Sequence, residues 1–232
     1  VSLLIPRRLS TLALACTLSA GATVPAVAAE TPLRDIRQRL LTQAEGHERD
    51  IALTLDACSG EYDAALIDTL VRLHVPATLF VTRRWLERNP QALKRLLAHP
   101  ELFELEDHGA RHVPAALGRR VYGMQGPADE TGLQAEIGGG AEAIVRATGR
   151  APRWYRGAGA LYDDAGLKVA ERLGLQVAGY SLNADDGATA HAATVARRLE
   201  RAMPGDIVIL HMNHPKSGTA DGVARALPGL LQ

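Results

Sequence analysis

The sequence predicts an α/β protein whose parallel sheet forms a distorted, incomplete (β/α) barrel of about seven strands. From residue 51 onward, apolar runs of strand length alternate with segments in which apolar residues recur at helical spacing. The runs are apolar on both faces, as strands are when helices cover both sides of a parallel sheet. Because fewer than about eight such units are present, the barrel is expected to be incomplete, and an open doubly wound sheet is the alternative.

Size and composition fit a single globular domain. The chain has 232 residues, 47% of them hydrophobic, and its 26 Lys and Arg residues balance 26 Asp and Glu residues. This length allows one sizeable core and is short for two domains. Because the net charge is close to zero and no dense basic run occurs, we expect no nucleic-acid partner. We also expect a monomer.

The first 29 residues have the pattern of a secretory signal peptide. Arg7 and Arg8 precede an apolar run of small residues, and Ala-Val-Ala at 26–28 fits a cleavage site. We therefore expect an exported protein, periplasmic or secreted, with no stable membrane span after the signal is cleaved. Loss of Cys16 with the signal would leave Cys58 as the one thiol, so no internal disulfide is expected.

The first half of the chain after the signal starts with a predicted helix and linker over residues 30–50, because Leu33, Ile36 and Leu40 recur at helical spacing. The remaining domain, residues 51–232, then alternates strands and helices. Pro90 predicts a break within the second of its helices, because proline has no backbone N–H. The predicted strands are 51–55, 77–81 and 102–105, the predicted helices are 66–73 and 85–99, and the Gly- and Pro-rich stretch 115–128 is expected to be an irregular loop.

The second half continues the same alternation. Three consecutive glycines at 138–140 weaken the middle of one predicted helix without ending it. Gly174 is a natural stop for the next helix. The predicted helices are 130–148, 167–173, 195–202 and 222–231, and the predicted strands are 154–156, 177–182 and 206–212.

Two histidines, His108 and His112, follow the third predicted strand. A helical turn would place residues four apart on one face, where both imidazoles reach one divalent metal, although Pro114 limits any helix here to about one turn. In α/β sheets the chemistry gathers at the carboxyl ends of the strands. Other polar residues that follow predicted strands are Asp56, Arg156, Asn183, Asp185, Asp186 and His211.

The order of these residues resembles the polysaccharide deacetylases of carbohydrate esterase family four, over residues 50–232. Thr-Leu-Asp-Ala-Cys at 54–58 is similar to the family's Thr-Phe-Asp-Asp-Gly motif, and residues 108–112 are similar to its His-x-x-x-His motif. Three looser matches follow in the same order: Arg156 with Arg-Pro-Pro-Tyr, Asp185 and Asp186 with Asp-x-x-Asp-Trp, and residues 209–211 with Leu-x-His.

The resemblance implies a metal-dependent hydrolase that removes N-acetyl groups from an amino-sugar polysaccharide, such as peptidoglycan, poly-N-acetylglucosamine or chitin. His108 and His112 would hold a divalent metal, expected to be zinc with cobalt or nickel as alternatives. Asp56 would take a proton from the attacking water, and His211 would give one to the leaving amine.

The resemblance also assigns supporting roles. Arg156, paired with Asp185 or Asp186, would keep Asp56 charged. Backbone N–H groups around Gly159 would stabilise the developing oxyanion. Ile209 and Leu210 would line the acetyl pocket, and Tyr162 would shape the sugar site.

One position departs from the family pattern. The family's third metal ligand is an aspartate, and Ala57 stands in its place. Asp56 would then be the ligand, which leaves the base unassigned; the alternatives are Asp107, a Cys58 thiolate, or water. As a free cysteine, Cys58 is more simply explained as a buried apolar side chain.

Two other functions remain open from the sequence. Ala57 favours a carbohydrate-binding protein of the same fold that has lost turnover, whereas the retained Asp56, Arg156 and His211 argue against it, since a binder needs no proton-transfer groups. An O-acetyl esterase acting on a polysaccharide would use the same mechanism with a different leaving atom.

Overall fold

A computed structural model of the chain describes residues 31–41 and 49–232, so the predicted signal peptide at 1–29 lies outside the described residues. Val1–Thr31 and Pro32–Gln232 are separate units by their contacts, and the second contains the whole fold described below. Within the described part of the chain, no helix has the length and apolar character needed to cross a bilayer.

Strands and helices alternate along the domain. The strands are β1 (Arg34–Asp35), β2 (Ala52–Ala57), β3 (Ala77–Val81), β4 (Phe103–Asp107), β5 (Arg120–Val121), β6 (Met124–Gln125), β7 (Trp154–Tyr155), β8 (Leu161–Tyr162), β9 (Gln176–Val177), β10 (Leu182–Asn183) and β11 (Ile207–His211). The helices are α1 (Ala64–Leu73), α2 (Arg83–Arg88), α3 (Pro90–Leu97), α4 (Glu130–Thr148), α5 (Asp164–Arg172), α6 (Ala192–Leu199) and α7 (Thr219–Leu230), with a 3₁₀ turn at Ala158–Ala160.

Seven parallel strands form the central sheet in the order β10-β11-β2-β3-β4-β7-β9. Neighbours in the sheet follow chain order except at the pair β11 and β2. These are the last and the first strands of this sheet along the chain, and they pair as they would in a closed barrel. No ladder between described strands joins β9 to β10, so the barrel is open there. The distorted, incomplete barrel is therefore confirmed. The doubly wound alternative is wrong, because such a sheet reverses its strand order at an internal switch point.

The two faces of the sheet have different contents because side chains alternate along a strand. Leu210, Leu55, Leu79 and Leu105 are paired in register across four neighbouring strands, and all four are buried in the main hydrophobic core. The residues that follow them, beginning with His211, Asp56 and Phe80, are also paired in register and face the other side of the sheet. The row of side chains that contains Leu55 thus faces the hydrophobic core, and the row that contains Asp56 faces the barrel interior.

The helix predicted within residues 30–50 is wrong for its described part. Residues 34–35 form β1, which pairs antiparallel with β8, and bridges follow at Arg37 and Arg39. Ile36 and Leu40 are four apart, a spacing that fits a strand as well as a helix, and only every second residue from 36 to 40 is partly buried. The extended form wins because its backbone hydrogen-bonds to the connection between β9 and β10, for example from Gln38 N to Tyr180 O at 3.3 Å.

Other elements follow the sequence pattern with two corrections. Pro90 begins the separate helix α3, as predicted. The stretch 115–128 contains a short hairpin, β5 and β6, where an irregular loop was expected. The single strand predicted over 177–182 is two short strands, β9 and β10, separated by residues 178–181.

Candidate active site

A bend, and no helical turn, carries the two histidines of residues 108–112. Gly109 and His112 both have positive φ, at 86° and 66°, which is incompatible with a right-handed helix. The imidazole rings still meet, with 5.0 Å between the centroids of His108 and His112. The predicted turn is therefore wrong, and the predicted proximity is confirmed.

Glu136 on α4 fixes this bend. Its carboxylate Oε1 accepts the backbone N–H groups of Arg111, at 2.9 Å, and Val113, at 3.0 Å, which flank His112 on either side. Its backbone carbonyl accepts the N–H of Ala110 at 2.8 Å, and its side chain is almost wholly buried. A buried carboxylate with two backbone donors thus holds His112 in a backbone conformation that a non-glycine residue rarely adopts.

Close helix packing supports the same bend. A Cβ on Gly140 would lie 2.0 Å from Asp107 Oδ1 and 2.7 Å from the Cα of Gly109, so α4 approaches the bend closely only because Gly140 has no side chain. Asp107 itself accepts the N–H of Gly109 at 2.7 Å. Burial raises the pKa of Asp107 well above its ordinary value, and Asp107 does not line the cavity of about 550 Å³ that His108 and His112 line. It is therefore placed as a structural group.

Cys58, His108 and His112 form a cluster of metal-ligand atoms within 4.8 Å of one another. His108 Nδ1 hydrogen-bonds to the backbone carbonyl of Arg156, which assigns the proton to Nδ1 and presents Nε2 to the cluster. That Nε2 lies 3.5 Å from Cys58 Sγ and 3.8 Å from Asp56 Oδ2. Two imidazoles and a thiolate are typical zinc ligands, and a three-ligand set leaves a coordination position open.

The electrostatics of the cluster fit a cation. Burial opposes charge on Cys58, yet His108, with the largest lowering effect, and the hydrogen bonds to His112 and His211 together hold the pKa of the thiol well below its ordinary value. Burial likewise opposes charge on His108, but Asp56 and Cys58 raise its pKa to about 9. The carboxylate of Asp56 and the thiolate of Cys58 are therefore stabilised by a positive charge near His108. A divalent metal would supply that charge while leaving the imidazole neutral.

Arg156 holds Asp56 directly, and neither Asp185 nor Asp186 mediates the contact as predicted. Its Nη1 donates to Asp56 Oδ1 at 2.9 Å and to Thr54 Oγ1 at 2.8 Å, and its guanidinium is fully buried over the Phe80 ring. Burial opposes charge on Asp56, but the charges of Arg156, His108 and His211 together with the Arg156 hydrogen bond outweigh it, so the pKa of Asp56 lies below its ordinary value. Asp56 is thus a buried, ionised carboxylate beside the cluster.

Asp185 orients His211 at the end of β11. Its Oδ1 lies 3.0 Å from His211 Nδ1, and its Oδ2 accepts the His211 backbone N–H at 2.8 Å and the Thr219 hydroxyl at 3.0 Å. Burial alone would lower the pKa of His211, but Asp185, Cys58 and Asp56 together raise it well above its ordinary value, with the hydrogen bond to Asp185 the largest raising contribution. The imidazole is thereby held charged with Nε2 free of this contact.

One cavity of about 550 Å³ collects most of the predicted site residues. Three predictions are corrected. Leu210 lies on the core face of β11, and Tyr162 is fully buried, with its hydroxyl accepting the N–H of Gly157 at 2.9 Å. Asp186 reaches the cavity, but its carboxylate pairs with Arg198 at 2.9 Å, so Asp185 takes the supporting role. The predicted residues that line the cavity are Asp56, His108, His112, Gly159, Asp186, Ile209 and His211.

Two functional positions were weighted wrongly or missed from the sequence. Cys58, explained first as a buried apolar residue, completes the cluster of three potential ligand atoms, and its position two residues after Asp56 was the available signal. Glu136 was missed, because nothing in a helical pattern marks a glutamate that reaches across to a loop.

The comparison with protein families decides the identity of the chain. The family model described as polysaccharide deacetylase matches residues 43–178, more than half of the sequence. The chain belongs to the polysaccharide deacetylase family. Among curated proteins, none matches it.

Solved structures of this family share the fold at low identity. A family 4 carbohydrate esterase pseudoenzyme from Bacillus anthracis is 20% identical, with a TM-score of 0.67 over 79% of this chain and 61% of that one. A peptidoglycan N-acetylglucosamine deacetylase is 23% identical, with a TM-score of 0.66 over 78% and 81% of the two chains. A family 4 acetyl xylan esterase from Clostridium thermocellum, in complex with cobalt, is 19% identical, with a TM-score of 0.64 over 78% and 83%. The present chain therefore spans about three-fifths of the length of the pseudoenzyme.

Proposed function

We propose that this family member is an exported, metal-dependent hydrolase that removes N-acetyl groups from an amino-sugar polysaccharide. One observation carries the proposal: Cys58, His108 and His112 bring their donor atoms within 4.8 Å of one another, beside an ionised Asp56. Cys58 thereby replaces the aspartate missing at Ala57. Because the three ligands are then complete, Asp56 is left to act as a base.

The roles of the residues follow from their places around the cavity. Cys58, His108 and His112 would hold a divalent metal, zinc first with cobalt or nickel as alternatives, which lowers the pKa of a bound water and polarises the acetyl carbonyl. Asp56, kept ionised by Arg156, accepts a proton from water. His211, kept charged by Asp185, donates a proton to the leaving nitrogen.

The reaction so assigned balances. Water supplies its oxygen to the acetyl carbon, the bond from that carbon to the sugar nitrogen breaks, and the nitrogen gains a proton. The products are acetate and a free amine. Ile209 lines the cavity at the end of β11 and offers an apolar contact for the acetyl methyl group.

The shape of the site supports a polymeric substrate. A neighbouring hollow of about 410 Å³ is lined by Asn213 and His214, which also line the main cavity, so the two hollows lie side by side. Two adjoining hollows suit a chain of sugars better than a single free sugar. Export, proposed from residues 1–29, would place the protein beside extracellular or periplasmic polysaccharide such as peptidoglycan.

The decisive experiment measures acetate release from N-acetylglucosamine oligomers and peptidoglycan, with protein stripped by a chelator and then supplied with zinc, cobalt or nickel. We expect activity only with metal, and a loss of about 10²–10⁴-fold in Asp56→Asn and in His211→Ala. His191→Ala is the matched histidine control, because His191 is exposed and makes no side-chain cap bond. Acetate release that survives both stripping and Asp56→Asn would sink the proposal.

A second candidate is a carbohydrate-binding protein that has lost turnover, favoured by Ala57 in the position of the metal aspartate. It predicts retention of the oligomers with no acetate in any metal. Release of acetate from an O-acetylated xylan, with none from N-acetylated oligomers, would instead assign an esterase that uses the same residues.

A further inference from the structure

The hairpin of β5 and β6 places an aromatic ring at the rim of the cavity. Val121 and Met124 are paired in register, so Tyr122 and Gly123 form a two-residue turn between them. The Tyr122 side chain is 78% exposed although it lines the cavity. An exposed tyrosine at the mouth of a site presents an apolar face and a polar hydroxyl to whatever enters.

The backbone at this turn is strained in a way that a side-chain role would explain. Tyr122 and Gly123 both have positive φ, at 46° and 81°, as a type I′ turn requires. Asn-Gly is the favoured pair for such a turn, because asparagine tolerates the left-handed region. Tyrosine there costs on the order of 1–3 kcal/mol, and such strain is commonly found at functional positions.

Packing fixes where the ring lies. A Cβ on Gly159 would lie 3.1 Å from Tyr122 Cδ2 and 2.6 Å from Val121 Cγ1, so the hairpin packs directly on the loop that follows Arg156. Tyr180, the other phenol ring among the described lining residues, has the guanidinium of Arg37 5.3 Å from its centroid. Of the two rings, Tyr122 is the more exposed.

We infer that Tyr122 is a stacking residue for a pyranose ring next to the sugar that carries the acetyl group. The inference rests on the proposed function for the class of ligand, an N-acetylated amino-sugar oligomer. The apolar C–H face of a pyranose packs on an aromatic ring, which removes both from water. The hairpin is thus part of the polymer-binding surface.

Three variants test the inference. Tyr122→Phe keeps the ring, Tyr122→Ala removes it, and Tyr122→Asn removes it while supplying the residue that this turn favours. Leu97→Ala is the matched control, because Leu97 is also an exposed large apolar residue and does not line the cavity. Affinity for N-acetylglucosamine oligomers is measured by calorimetry on metal-stripped protein, and KM and kcat are measured on the metal-loaded enzyme.

We expect Tyr122→Ala and Tyr122→Asn to weaken oligomer binding about 3- to 10-fold and to raise KM with little change in kcat. Tyr122→Phe and Leu97→Ala should bind as the parent does. Tyr122→Asn should also melt no lower than the parent, a combination that loss of fold cannot produce.

The outcomes separate this inference from the proposed function. Tyrosine-dependent binding without acetate release would support the stacking residue and contradict the hydrolase. Parent-like binding by Tyr122→Asn, equal losses in the Phe and Ala variants, or no binding of any oligomer by the parent would overturn the inference, even if acetate is released.

Discussion

Cys58 lies two residues after Asp56, and its sulfur lies within 4.8 Å of the ligand atoms of His108 and His112, where Ala57 has no donor to offer. A thiolate carries the same charge as a carboxylate but is a softer ligand, so it favours zinc or cobalt over harder cations such as magnesium. Residues that are not themselves candidate ligands hold the side chains of this cluster in place. Substituting one of them changes how a ligand is oriented while the ligand itself is kept.

Glu136 should control metal affinity through His112. Removing its carboxylate in Glu136→Ala frees the two N–H groups that flank the histidine, and we expect metal affinity to fall about 10–100-fold. Glu136→Gln keeps an accepting oxygen and should recover most of that loss. Glu142→Gln, which changes an exposed carboxylate on the same helix, is the control for titration by competition with a chelating dye. Equal affinities in Glu136→Ala and the parent would contradict this role.

Asp185 should set the alkaline limit of activity. Its hydrogen bond raises the pKa of His211, so the imidazole keeps its proton to higher pH, whereas Asp56, with a lowered pKa, stays ionised to lower pH. Both charged forms are needed, so kcat/KM should fall below the pKa of Asp56 and above that of His211. In Asp185→Asn the pKa of His211 drops, and the alkaline limb should move to lower pH. An unmoved alkaline limb in the pH profile would contradict the role of Asp185 in setting the pKa of His211.

Helix α4 shows how one element serves both packing and the site. Its three consecutive glycines look alike in the sequence, where they only weaken a helix. In the structure, Gly140 faces the bend that carries His108, whereas a Cβ on Gly138 would meet only the Leu173 side chain at 3.9 Å. The helix therefore keeps glycine where its backbone must approach another, and tolerates it elsewhere.

Alanine substitutions at Gly138 and Gly140 should change the free energy of unfolding in opposite directions. Gly138→Ala should stabilise the protein by about 0.5–1 kcal/mol, because alanine is the better helix former. Gly140→Ala should destabilise it by about 1–3 kcal/mol, because the added Cβ collides with Asp107 and Gly109. Urea unfolding of both variants gives the comparison. Two changes of the same sign would show that helix propensity alone explains the run.

Sequence reasoning succeeded for elements whose pattern is local. Helix α4 matches its predicted bounds, and Pro90 marks the start of α3. It failed where distant segments decide. The run 177–182 is divided because the backbone at Gly179 meets that of Ile36, and the bend at 108–112 is shaped by a glutamate more than twenty residues away. Neither partner is visible in a local window.

At the scale of the whole molecule, strand order gathers side chains from both ends of the sequence. Asp56 and His211 are register partners on neighbouring strands although 155 positions separate them. The rule that chemistry collects at the carboxyl ends of parallel strands was enough to predict this meeting. It did not predict which side chain completes the ligand set, because that depends on side-chain directions within a few ångströms.

Metal binding should stabilise the fold as a whole. A cation bound only by the native state, at about one hundred times its Kd, adds about 2.7 kcal/mol, which corresponds to a rise in Tm of about 5–10 °C for a domain of this size. Cys58→Ala should lose most of this rise, and Cys58→Asp, which restores a charged ligand, should keep much of it. Thermal melts with zinc or a chelator provide the measurement. A full rise in Cys58→Ala would exclude the thiolate as a ligand.

The extended segment at residues 36–40 bears on which N-terminal residues a recombinant form of the domain should retain. Gln38 Oε1 accepts the N–H of Gly179 at 2.9 Å, the carbonyl of Gly179 accepts from Arg156 Nη2 at 3.0 Å, and Arg156 in turn holds Asp56. A recombinant form trimmed to the first long strand would lack the outer partner of this relay. Gly179, whose carbonyl accepts from Arg156, would then lose its own bond to Gln38, although every residue of the cavity was still present.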